Sequence, residues 1–407
     1  MSQVASAPSS PAAPTAAETF SPAGLRRRVS EGELGSLPVV IGLVVIWLIF
    51  WWLNPNFLTA RNITNLVLQI VVYGMIAAGV VLVLLLGEID LSVGSVSGMC
   101  AAIMGVLNVK MGQPPLVALL AALVTGAAVG LLQGFWFTRL HVPSFVVTLA
   151  GLLAWSGAQL WVLGETGTIN LNDKLIVGLA NTFFPAWVGW AIAALAIIVF
   201  AIATGEEHRR RRAAGLVVGS PQLLALQVII FGAVLFGAVA VLNADRGVPS
   251  GILILLGCVV VLDYVTRRTR FGRHIYAVGG NPEAARRAGI SVTSIRVAVF
   301  SMGSLMAAAG GVMAASRLFA VNQSSGQSDT LLNSIASAVI GGVSLFGGRG
   351  SVWAAPLGAL VIGSISNGMD LLALSSSVKF MITGAVLLLA VTIDALSRRG
   401  RESAGRA

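Results

Sequence analysis

The sequence predicts an all-α, polytopic helical membrane protein of about twelve transmembrane helices, within a range of ten to twelve, and three observations predict it. Of its 407 residues 56% are apolar and only 10% charged, with a mean hydropathy of +0.89. A soluble domain is nearer one quarter charged, and so few charges cannot cover a 42.0 kDa globule, which excludes an ordinary cytosolic enzyme. Uncharged stretches of membrane length recur, at 34–60, 62–87, 111–138 and 297–316, and a helix needs about 20 apolar residues to cross the hydrocarbon layer. The charges that remain are grouped: 18 of the 26 Lys and Arg fall in four blocks between apolar runs.

Residues 1–33 read as a disordered cytoplasmic tail, because 1–24 are Ala/Ser/Pro-rich with the single charge Glu18 and cannot bury a core. Arg26, Arg27 and Arg28 precede the first apolar run, and with no small-residue cleavage site that run is a retained span. The transmembrane permeation domain occupies 34–397, and 398–407 form a basic cytoplasmic tail. Its spans fall near 37–54, 63–86, 91–109, 115–137, 144–163, 181–204, 222–244, 250–266, 297–316, 331–346, 351–373 and 379–396.

Orientation follows from the basic blocks at 26–28, 209–212, 267–296 and 398–406, which twelve spans place on one face. Basic loops mark the cytoplasmic side, giving N-in and C-in. The opposite loops include 164–174 and the Asn-, Gln- and Ser-rich stretch 317–330. Trp51, Trp52, Trp161, Trp187 and Trp190 cluster at the outer ends, where an apolar ring with a wet N–H is at home.

The net charge of +10 is accounted for by those flanking blocks, so no nucleic-acid partner is expected. Cys100 and Cys258 lie inside apolar segments and read as buried thiols, with no metal spacing. His141, His208 and His274 fall in loops without a His-Glu-x-x-His pairing. The three lysines, Lys110, Lys174 and Lys379, never follow glycine, so there is no phosphate-binding loop. No catalytic residue, metal or cofactor is expected. If transport is active, its energy comes from an ion gradient or from another subunit.

Three segments stand out. In 267–296, Asn281 suits an N-cap, Pro282 the first helical position and Glu283 the positive end of the helix dipole. Ala284, Ala285 and Ala288 propagate the helix and Gly289 can close it in the left-handed conformation. The product is a two-turn helix between spans, shaped to plug into a partner or merely a well-capped solvated connector.

The run Gly87, Glu88, Ile89, Asp90, Leu91, Ser92, Val93, Gly94, Ser95 sits between apolar runs with almost no loop. Carboxylates near membrane depth are costly unless they face protein or water. The run reads as a proton relay, as a hinge lining a water-filled path, or as a short turn whose acids and Ser92 cap the next helix. A similar order of apolar run, glycines, charge and small residues recurs at 340–351, through Gly341, Gly342 and Arg349. Corresponding Gly-interrupted spans point to a path between repeats. Separately, Gly126, Gly130 and Gly134 form a small-xxx-small row that allows close helix contact, within one subunit or at a dimer seam.

With these residues in view, the chain resembles the permease subunits of bacterial ABC importers of the ribose/xylose sugar type. The resemblance rests on 87–95, on Val142, Pro143, Ser144, Phe145, Val146, Val147, Thr148 and Leu149, on Gly279, Gly280, Asn281, Pro282, Glu283, Ala284 and Ala285, and on 341–350. These stand in the family's order and the likeness runs from about residue 38 to 396. It implies that 279–290, with Gly279, Gly280, Arg286, Arg287 and Gly289, is the segment that docks into an ABC ATPase subunit. It further implies a second permease copy, an extracytoplasmic sugar-binding protein and a place in the lipid of the bacterial inner membrane. Many members have glycine where this chain has Glu88, and the insertion around 206–246 exceeds the ribose-type length. Both features are similar to the xylose-type branch, so the expected substrate is xylose or another pentose. Glu88, Asp90, Ser92, Gly94, Gly341 and Gly342 are the expected gate or path residues. The rivals are an ion-coupled secondary transporter using Glu88 or Asp90, a membrane-embedded enzyme, and a same-family permease for another sugar or for branched-chain amino acids.

Overall fold

The computed structural model describes residues 37–164, 167–216 and 220–403; the predicted tail 1–33 lies outside the described residues. The first half of the chain forms α1 (Leu37–Leu53), α2 (Ala60–Leu85), α3 (Val93–Gly105), α4 (Pro115–Arg139) and α5 (Ser144–Leu163). Two short strands and a short helix follow: β1 (Thr168–Asn170), α6 (Lys174–Asn181) and β2 (Phe183–Phe184). Next come α7 (Ala186–Ala213), α8 (Pro221–Asn243), β3 (Val248–Pro249) and α9 (Ser250–Arg268). The rest is α10 (Arg270–Gly280), α11 (Pro282–Arg287), α12 (Val292–Leu318), β4 (Ala320–Asn322), α13 (Ser328–Ile340), α14 (Ala354–Leu371) and α15 (Ser376–Ser403).

Each predicted span contains a helix, and eight helices among the described residues are long and apolar enough to cross a membrane. α1, α13 and α15 carry shorter apolar stretches. α14 is more polar, with buried Ser364 and Asn367, because it faces protein. Three boundaries differ from the expected ones. Residues 181–185 finish α6 and form β2, so the sixth span begins at Ala186 and continues through the basic block Arg209 to Arg212. The tenth ends at Ile340, six residues early, because Gly342, Gly347, Gly348 and Gly350 all adopt positive φ and fold 341–353 into a turn. α15 runs on to Ser403, so the backbone of 398–403 is helical where a tail was expected.

The core is built round α2, which is buried along most of its length between α12, α14, α13 and α9. α3 and α12 are the next most buried, and α4 lies along α12. The glycine row explains that contact: a Cβ at Gly126 would stand 2.5 Å from the Ala308 Cβ, at Gly130 2.3 Å from the Phe300 carbonyl oxygen, and at Gly134 2.8 Å from the Val297 Cα. The row therefore packs helices within one chain. In lipid, backbone approach of this kind supplies the dispersion contacts that hold helices together.

α7 and α8 form a peripheral hairpin anchored by Ala193, Val239, Leu242 and Val248. Its outer surface is apolar and exposed, with Leu195, Ile202, Ile229 and Val234 turned away from the bundle. Here lies much of the stretch 206–246, expected from the sequence to be an insertion. An apolar surface of that extent marks contact with a membrane or with another protein.

The two ends of the bundle differ. One end, here the basic face, carries 267–296 and the C-terminal end of α7. At the other end the antiparallel pairs β1–β4 (Thr168 opposite Asn322) and β2–β3 (Phe183 opposite Pro249) fasten the loops together. Trp52, Trp161 and Trp187 are largely exposed at that same end, as an interfacial belt requires.

Candidate functional site

The short helix α11 forms for the reasons its sequence offers. Asn281 is extended (φ −156°) and its Oδ1 accepts from the Ala284 N–H at 2.9 Å. Pro282 opens the helix. At the other end Gly289, at φ +81°, donates to the Arg286 carbonyl (3.0 Å) and Ile290 donates to the Ala285 carbonyl (3.0 Å). That bond pair is a Schellman closure. At six residues the helix is shorter than the two turns expected. Ala285 is buried against the bundle, whereas Glu283, Arg286 and Arg287 project outward, with Glu283 bridging to Arg286 at 2.9 Å and Arg287 at 3.5 Å. Exposed pairs of this kind add little stability, so their value lies in the surface they present.

The preceding helix, α10, ties that surface to the bundle. It buries Gly272, Ile275 and Val278, and Gly279 lies on the end of α2 so closely that a Cβ there would stand 1.8 Å from the Leu85 carbonyl oxygen. The same carbonyl accepts from the Gly348 N–H at 2.9 Å. Tyr276 donates its hydroxyl to the Gly350 carbonyl (3.0 Å), and Arg267 donates to the Ser351 hydroxyl (2.7 Å). The Gly87 N–H and the Gly279 carbonyl both border Gly347. The separate sequence segments 87–95, 279–289 and 341–350 thus meet at one junction on the basic face. The two similar Gly-rich turns lie against each other.

Glu88 brings in the fourth segment. Its Oε1 meets the Arg296 guanidinium at 2.8 Å, and its Oε2 accepts from the Ser144 hydroxyl at 2.7 Å. Arg296 also lies over the Phe137 ring, 4.8 Å from its centroid. One carboxylate therefore joins the α2–α3 turn, the start of α5 and the second turn of α12. Burial lifts the Glu88 carboxyl above its ordinary range, and Ser144 and Arg296 pull against that cost.

Asp90 and Ser92 sit deeper. Asp90 is buried; its Oδ1 accepts from the Ser92 N–H (2.8 Å) and hydroxyl (2.6 Å). Its Oδ2 has no hydrogen-bond partner among the described residues. Ser92 occupies the N-cap position of α3, but its hydroxyl serves Asp90 and Gln133 rather than the helix N–H groups. Capping by Ser92 is thus not what its side chain does. Gln133 donates to it at 2.8 Å.

Gly94 and Gly98 admit a backbone. The loop 323–327 folds inward against α3: a Cβ at Gly94 would stand 2.4 Å from the Gly326 carbonyl oxygen, and one at Gly98 2.1 Å from that of Ser325. Gly94 lies eleven residues from Gly105, roughly 16 Å at 1.5 Å per residue. Irregular backbone at such depth must be buried in protein or line a cavity. Gln159 supplies part of the cover, its amide donating to the carbonyls of Asn322 and Ser325 at 3.0 Å each. Gly341 caps α13 and touches the Ala354 backbone; Gly342 has open space round its Cβ position.

Three contributors escaped the sequence reading, Gln133, Gln159 and Arg296, and Ser144 entered it only within the stretch 142–149, without a role. Gln133 and Gln159 had a signal, each being an amide within a run that is otherwise almost wholly apolar. The pairing of Arg296 with Glu88 had none, since 208 positions separate them.

Long apolar helices around a polar junction, with a short capped helix exposed on one face, define a class: a multi-pass transport subunit of the membrane. The chain belongs to the family of permease components of branched-chain amino acid transport systems, which its residues 62–391 match. It is 37% identical over 369 residues to the xylose transport system permease protein XylH of Escherichia coli, covering 89% of this chain and 92% of that one. The XylH of Haemophilus influenzae is 34% identical over 89% of this chain and 98% of its own. The ribose import permease protein RbsC of Bacillus subtilis is 30% identical over 89% and 94%. No solved structure matches the chain.

Proposed function

We propose that this chain is the membrane permease subunit of an ATP-driven, binding-protein-dependent importer of a monosaccharide, xylose or another pentose, in the bacterial inner membrane. The observation that carries this is the likeness to xylose permeases over 89% of the chain. The assembly holds two copies of this chain, an ABC ATPase that burns the fuel, and an extracytoplasmic sugar-binding protein that delivers the substrate. The N- and C-termini face the cytoplasm, twelve helices cross the bilayer, and the basic face is the ATPase side.

Asn281, Pro282, Glu283, Arg286 and Arg287 form the docking surface for the ATPase. Closure of the ATPases displaces α11, and Gly279 passes that displacement to the end of α2 and to the turn 341–350, which it touches directly. Glu88 carries it to α5 and α12 through Ser144 and Arg296. Asp90, Ser92 and Gly94 belong to the gate at the start of α3. Glu88 is engaged on both carboxylate oxygens, which disfavours it as the mobile proton carrier of a secondary transporter.

Reconstitution with the cognate ATPase and binding protein tests this reading. Pentose uptake should require ATP and the binding protein and should survive a protonophore. Uptake by this chain alone without nucleotide, or uptake of leucine in place of pentose, would overturn it.

A further inference from the structure

Between α2, α12, α13, α14 and α15 lies a cavity of about 250 Å³. It opens near the end opposite the basic face, since Arg317 and Asp370 on its wall are the penultimate residues of α12 and α14. Along α2 its wall runs inward from Gln69 to Tyr73, thirteen residues into that helix, roughly 20 Å. We propose that this cavity is a subsite at which a neutral monosaccharide is held during passage, an inference that rests on the sugar-importer reading above.

Three features carry it. The first is the chemistry of the wall. Gln69, Tyr73, Asn333, Ser366 and Thr383 contribute amides and hydroxyls, groups that both donate and accept as a polyol's hydroxyls do. Tyr73 places its phenol beside the Asn333 and Ser366 side chains. The second is charge. Arg317 and Lys379 are matched by Asp329 and Asp370, and Lys379 is ion-paired with Asp370. The wall therefore has no net charge with which to hold an ion.

The third feature is an orphan. The Gln69 Oε1 is buried without a hydrogen-bond partner among the described residues. A buried acceptor left unmatched is costly and calls for an explanation. A sugar hydroxyl arriving in the cavity supplies the missing donor. The volume also suits a small guest, being under the 300–1,000 Å³ typical of drug-sized ligands. The hold is weak, as a passage requires, because the bonds the other wall groups form to the sugar replace bonds to water.

The test uses the full chain reconstituted with its ATPase and binding protein. Gln69→Leu should lower maximal xylose uptake at least tenfold while the complex still assembles. Ser366→Cys, labelled from outside with an impermeant maleimide, should be protected by excess xylose and not by excess leucine. Unchanged uptake in Gln69→Leu together with unprotected labelling overturns the subsite. Protection by leucine alone does the same. If Gln69→Leu fails to assemble, the labelling result decides. Failure of the wild-type assembly to take up any monosaccharide sinks the importer reading instead, and so is distinguishable.

Discussion

Glu88 and Arg296, 208 positions apart in sequence, meet at 2.8 Å between side chains that are only 14% and 22% exposed. Arg296 stands in the second turn of α12, just beyond the capped helix α11, and Glu88 stands where α2 turns into α3. The pair therefore joins the start of α12 to the turn between α2 and α3.

Removing one partner should weaken coupling without removing the fold. Glu88→Gln is expected to lower sugar moved per ATP hydrolysed, by about 0.5–2 kcal/mol of coupling free energy. The reversed pair, Glu88→Arg with Arg296→Glu, should recover part of the loss. Measurement of uptake and ATP hydrolysis on one reconstituted sample decides the matter; no difference between single and double variants would remove the link from the mechanism.

Docking is tested at α11. Deletion of 281–289, or Glu283→Lys, should abolish co-purification with the ATPase. Asn281→Ala should weaken it more mildly, since loss of an N-cap costs about 1 kcal/mol. Intact association in the deletion variant would show that the ATPase binds elsewhere.

Adjacent glycines give a sharp contrast. A Cβ at Gly279 would stand 1.8 Å from the Leu85 carbonyl oxygen, whereas nothing lies within 4 Å of one at Gly280. Gly279→Ala should lower the thermal midpoint in detergent by the equivalent of at least ~1–3 kcal/mol, as overpacking does. Gly280→Ala should leave it unchanged or slightly raised. Equal effects at the two positions would contradict the packing described.

Orientation is open to labelling. Single cysteines at Arg210 and at Gln323 fall at opposite ends of the bundle. An impermeant thiol reagent applied to intact cells should modify Gln323→Cys and not Arg210→Cys. The reverse pattern would invert the assignment of the basic face. Cys100 is buried and gives no background, and Cys258 can be replaced by alanine.

The helices were legible because long apolar runs have one stable form in lipid: a helix satisfies its own backbone. The cap of α11 was legible too, since Asn281, Pro282 and Gly289 act on their near neighbours. What the sequence hid was tertiary. The run 317–330 looks like any polar loop, and nothing local says that 323–327 turns inward on Gly94 and Gly98. The end of α13 was placed too far along because Gly341 and Gly342 are tolerable in a span, and their effect depends on the Ala354 backbone that Gly341 meets. Glu88 was picked out by its type, but its role waited on Arg296 and Ser144, which adjoin it only after folding.

The hairpin of α7 and α8 hangs on the bundle by the small cluster of Ala193, Val239, Leu242 and Val248 and leaves much of its apolar surface exposed. A part attached so lightly, with Val67 of α2 and Ile252 and Leu253 of α9 as the neighbours packed on its anchor, has room to change in length and composition over evolutionary time. Transporters with and without such an outrigger can then share the same working machinery, and this pair of helices is the natural place to splice in a reporter domain.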